Sequence, residues 1–118
     1  RNGSNPTELN EVRFIIPGYM GMYVYPQPND VPKFNSDYAE HIIFLHNKLD
    51  IPVDAKAYEV TDFVPSPFGA PPYCKMWVIP FDSLEALNSA LSTPKFQEVA
   101  GDANRISNGG APTILIGQ

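Results

Sequence analysis

The chain has 118 residues, 43% of them hydrophobic and 18% charged, and a net charge of −5. That length fits one domain with a modest core, and an acidic balance with singly scattered Lys and Arg excludes an electrostatic grip on nucleic acid or on an anionic membrane surface. One cysteine, Cys74, and two histidines, His41 and His46, give no disulfide framework and a poor ligand set for a metal, and no apolar run approaches the roughly 20 residues needed to cross a bilayer. The expected setting is the cytoplasm, with a processed or secreted form left open by the start at Arg1.

Residues 1–18 read as a polar arm carrying a short apolar run, Val12–Ile16, that needs cover from an extra strand position or a neighbouring subunit. Tyr19–Tyr25 is the first strand, with Met20, Met22 and Val24 on one face and Tyr19, Gly21, Tyr23 and Tyr25 on the other. Asp30 and Pro32 launch a helix over Phe34–Leu49, which Asp50 and Pro52 stop. At about 100° per residue, Phe34, Tyr38, Ile42, Leu45 and Leu49 form an apolar stripe about 80° wide. His41 falls at its edge and is expected inward. His46 falls on the far shoulder and is expected in solvent.

Lys56–Val64 reads as a long or bulged edge strand, and Pro65–Pro72 as a rigid hairpin loop with Phe68 as a candidate lid or interface residue. Tyr73–Phe81 is nearly continuous in apolar residues and predicts a strand buried on both faces, with Cys74 as core filler. Asp82 to Glu85 resembles a capping box, opening a helix to about Ser92. Pro94 restarts a short helical segment, Lys95–Ala100, then Asp102–Ala111 is turn-rich and Thr113–Ile116 closes the order as a strand.

The order β-α-β-β-α-β over residues 19–118 predicts a single α+β domain of ferredoxin-like topology, four antiparallel strands with both helices on one face. Helices on one face leave the other apolar face uncovered, although the first and third strands are apolar on both. A second copy, packed sheet to sheet about a two-fold axis, would bury it.

Taken together, YVYPQPND, FNSDYAEH followed by KL, a proline-rich hairpin loop, FDSLEALNSAL and GGAPTILIGQ resemble the EthD family of dimeric α/β-barrel proteins, from Met20 to the C terminus. The resemblance implies a ferredoxin-like subunit and a homodimer with facing sheets. The family's name comes from ethyl tert-butyl ether degradation, and related proteins include cofactor-free dehydratases, isomerases and monooxygenases acting on ring compounds. No cofactor is therefore expected. Members commonly carry one or two adjacent histidines on a Tyr-rich helix, where this chain has His41-Ile42, and a proline and leucine where it has Phe44-Leu45.

His41 is the candidate proton-transfer residue, since imidazole exchanges protons near neutral pH. Its alternative is a boundary histidine bonded to backbone. Tyr23, Tyr25 and Trp77 are candidates to line an aromatic pocket, or equally to pack a core or dimer interface, depending on which strand face looks toward the helices. Tyr38, on the inward helix face, is a further candidate to reach a ligand. Asp102 is expected to cap a turn. These residues suit a cofactor-independent enzyme acting on an apolar or aromatic molecule, a non-catalytic carrier of one, or a structural dimer with a filled core.

Overall fold

The computed structural model describes residues 18–55 and 57–118. The expected arm over 1–18 lies, apart from Gly18, outside the described residues. Four strands, β1 (Tyr19–Pro26), β2 (Glu59–Asp62), β3 (Tyr73–Phe81) and β4 (Thr113–Gly117), form an antiparallel sheet in the order β2-β3-β1-β4. Among the described residues three helices accompany the sheet: α1 (Val31–Lys48), α2 (Leu84–Leu91) and α3 (Pro94–Ile106). This is the ferredoxin-like α+β subunit expected from the element order.

Helix α1 starts where its chemistry dictates. Asp30 takes the cap position and its carboxylate accepts from the Lys33 amide at 3.0 Å. The helix ends at Leu49, after which Asp50 adopts a left-handed φ of 55°. Asn108 fastens this start to the loop before β4: its side chain accepts from the Asp30 amide and donates to the Asp30 carbonyl, both at 3.0 Å. At the neighbouring Gly109 a Cβ would collide with the Gln27 carbonyl oxygen, so only glycine permits this approach.

Three boundaries differ from expectation. The second strand is limited to Glu59–Asp62, because proline and glycine shape the following loop into a tight turn in which Ser66 and Gly69 exchange backbone hydrogen bonds. The cap of α2 is Ser83, not Asp82, its hydroxyl accepting from the Ala86 amide at 3.0 Å. The last helix continues through Asp102 to Ile106, where a turn was expected. Gly101 interrupts the propensity but not the helix, since α3 buries a stripe of Phe96, Val99, Ala103 and Ile106 that outweighs a glycine penalty of about 1 kcal/mol.

The core lies between helices and sheet. Antiparallel pairing sets Tyr23 opposite Trp77, and the period of two puts Tyr25 on the same face. Tyr23, Tyr25, Trp77, Phe34, Leu45 and Phe96 are all buried there. Cys74 is half-buried instead of a core filler, its Sγ 3.6 Å from the Pro26 carbonyl oxygen. Phe68 stands at the tip of the loop, 99% exposed.

Candidate functional site

The site grows from three elements. Strand β1 presents Tyr23 and Tyr25, β3 adds Trp77 beside Tyr23, and α1 brings His41 and Leu45 one turn apart over them. Helix α3 closes the space with Phe96, Val99 and Ala103. The result is a cavity of about 10 Å³, room for roughly one water, between aromatic walls. Tyr23 and Trp77 meet edge to face at 6.0 Å, and Trp77 and Phe96 at 6.4 Å.

The strand face left open by the sequence is thus the one carrying Tyr23, Tyr25 and Trp77, and His41 joins them in one cavity. Tyr38 stands beside that cavity and not in its lining. Its ring lies 6.0 Å from Phe34, 6.1 Å from both Tyr25 and His41, and 4.1 Å below the Lys75 ammonium.

His41 is 3% exposed, and its Nδ1 lies 2.8 Å from Asp102 Oδ2. The other oxygen of that carboxylate accepts from Arg105 Nε at 2.8 Å, one helical turn further along α3. Burial would raise the Asp102 carboxyl, but hydrogen bonds from Arg105 and His41 outweigh it and hold the group below its ordinary 3.8. For His41 the balance is reversed: desolvation lowers it below 6.5 despite the raising effect of Asp102. An ionised Asp102 facing a neutral imidazole requires the proton on Nδ1, so Nε2 keeps its lone pair. Among the described residues Nε2 has no hydrogen-bond partner.

Burial raises the phenols of Tyr23, Tyr25 and Tyr38, so all three stay protonated near neutral pH and can donate. Two buried polar atoms have no partner among the described residues, Trp77 Nε1 and the Tyr38 hydroxyl. No group of three or more potential metal ligands occurs among the described residues.

Two expectations are corrected. Asp102 is no turn cap but the partner of His41, and with Arg105 it is the part of the site that sequence reading missed. The one available signal was the phase of α3: Phe96, Val99 and Ala103 on one stripe place Asp102 at its edge, once Gly101 is read as helical. His46 is not solvated: it is 8% exposed, with Nδ1 donating to the Ile51 and Pro52 carbonyls at 3.1 and 3.2 Å and Nε2 2.7 Å from the Tyr58 hydroxyl. Those partners use both ring nitrogens, which makes His46 a structural clamp.

The class defined by fold and site is a ferredoxin-like α+β protein with a buried His–Asp pair at the helix–sheet junction. No family model and no curated protein sequence matches the chain. Among solved structures it is similar to an ethyl tert-butyl ether degradation (EthD) family protein from Bacillus halodurans, at 25% identity and a TM-score of 0.69, covering 85% of this chain and 96% of that one. A dimeric ferredoxin-like protein from a Jannaschia species matches at 13% identity and a TM-score of 0.62, covering 86% and 99% of the two chains. A hydroxynitrile lyase from Passiflora edulis matches at 12% identity and a TM-score of 0.61, covering 86% and 93%. The chain has the EthD-family fold. No helix among the described residues is long and apolar enough to cross a membrane.

Proposed function

We propose that the protein binds a neutral, apolar or aromatic small molecule between its helices and its sheet, and that His41 moves a proton to or from it without a cofactor. The observation that carries this reading is the buried His41–Asp102 pair opening on an aromatic cavity. Asp102 fixes the imidazole tautomer, Nε2 serves as the base, and burial keeps that nitrogen unprotonated near neutral pH. Tyr23, Tyr25 and Trp77 wall the ligand, and Tyr38 orients it from the flank. Such a step suits isomerisation, dehydration or cofactor-free oxygenation. On this reading residues 19–118 form one EthD-like domain, residues 1–18 an appended arm, and the working unit is a homodimer joined through the open sheet face. A dimeric relative of the same fold supports that assembly, and an enzyme among the proteins of this fold supports catalysis.

The test is to identify a co-purified ligand by mass spectrometry and then to compare its turnover by wild type and His41→Gln. A loss on the order of 10²-fold or more is expected for removal of a general base. Turnover at the wild-type rate would refute the mechanism. The narrowness of the cavity favours a second reading, in which the core is filled, the His41–Asp102 pair only fastens α1 to α3, and the protein is a structural dimer. That reading requires that no apolar or aromatic molecule binds saturably between the helices and the sheet.

A further inference from the structure

The cavity lining has an uneven hydrogen-bonding capacity. Trp77 is 4% exposed and its indole Nε1–H has no acceptor among the described residues, although leaving a buried donor unpaired is costly. Tyr23 and Tyr25 line the same cavity, and burial raises both phenols, so both hydroxyls stay protonated. Against these donors stands one dedicated acceptor, His41 Nε2. No Lys or Arg lines the cavity among the described residues, so an anionic ligand would find no counter-charge there. A ligand that complements this lining is neutral, apolar in its body, and presents an acceptor oxygen to Trp77 with an acidic hydrogen toward His41.

We infer that the ligand is a neutral carbonyl compound bearing a hydrogen on the carbon next to the carbonyl, with Trp77 Nε1–H holding the carbonyl oxygen and His41 Nε2 taking the hydrogen. This rests on the proton-transfer reading above and names its substrate class. The step balances without a co-reactant. The C–H bond breaks, its electron pair forms the new C=C bond, and the carbonyl π pair moves to the oxygen held by the indole. The proton resides on His41 Nε2, and its return to either carbon or oxygen completes an exchange or an isomerisation. The cavity as it stands holds about one water, so on this proposal a ligand of this class requires the helices to move outward from the sheet.

Trp77 is the only tryptophan of the chain, so its indole gives one N–H resonance in a nitrogen-15 correlation spectrum. Full-length protein is titrated with acetophenone and with α-methylstyrene, in which a methylene replaces the carbonyl oxygen. A saturable downfield shift of the indole proton is expected with the ketone and not with the alkene. No shift with the ketone, or the same shift with the alkene, overturns the carbonyl assignment. Deuterium incorporation into the acetophenone methyl group in D₂O is then followed for wild type, His41→Gln and Trp77→Phe. Wild type should exceed protein-free buffer, Trp77→Phe should fall about tenfold for one lost hydrogen bond, and His41→Gln should return to the buffer rate. A ketone-specific shift without exchange overturns the His41 step and leaves the carbonyl assignment standing. Equal exchange by Trp77→Phe removes the indole from the step. The titration uses wild type, so a variant that fails to fold leaves it decisive.

Discussion

Among single residues, His41 and Asp102 make a pair that acidification should unmake. His41 titrates below its unfolded value of 6.5, so below about pH 6.5 the unfolded chain binds a proton that the native imidazole refuses, and stability falls as the pH drops. Asp102 acts in the same direction but lower: its contribution is present above 3.8 and is lost as the pH falls through its depressed native value. A proton NMR titration of the His41 ring should give a midpoint below 6.5. Asp102→Asn should lower it further by removing the negative partner, and a midpoint unchanged in that variant would show the pairing to be electrostatically idle. The inward side of His41 was legible because helical phase is a local property. Its partner was not, since 61 residues separate the two and only the docking of α3 on α1 joins them. His46 misled for a related reason: the carbonyls it reaches lie beyond the helix end, in Ile51 and Pro52, where phase carries no information.

At the level of elements, composition near α3 gave the wrong end and the right start. Pro94 marked the start, and the structure adds Thr93 as its cap, the hydroxyl accepting from the Phe96 amide at 3.2 Å. Gly101 followed by Asp102 imitates a turn. Inside the helix, however, Gly101 is exposed, and a Cβ added there meets nothing within 4 Å. Gly101→Ala should therefore raise unfolding free energy by about 0.5–1 kcal/mol in urea denaturation, by removing backbone freedom from the unfolded chain without crowding the native one. Because residue 101 precedes Asp102, the His41 titration should stay unchanged in this variant, which separates helix propensity from the site. A destabilised Gly101→Ala protein would mean that α3 ends earlier in solution. For β2 the alternation of Lys56–Val64 overstated the strand: pairing with β3 runs only from Glu59 to Asp62 although β3 itself extends from Tyr73 to Phe81, and the proline- and glycine-shaped loop follows.

For the whole molecule, the topology followed from the order of elements, while assembly rests on what the helices leave uncovered. The helices lie over the face of Tyr23 and Trp77, and the opposite face carries Met20, Met22, Val24, Met76, Val78 and Leu115 in adjacent register positions. Leu115 is 47% exposed on the edge strand, so replacing it by aspartate removes little packing within the subunit. If that face pairs with a second copy, the replacement buries a charge without a partner, and Leu115→Asp should shift wild-type protein from twice the 13.1 kDa chain mass toward the single mass in sedimentation equilibrium at micromolar concentration. Ile43→Asp is the matched control. Ile43 is 64% exposed on the outer side of α1, away from the sheet, and its replacement should leave the dimer mass unchanged. A wild-type mass of 13.1 kDa would remove the open sheet face as an interface, and a monomer produced by Ile43→Asp alone would move the interface to the helical surface.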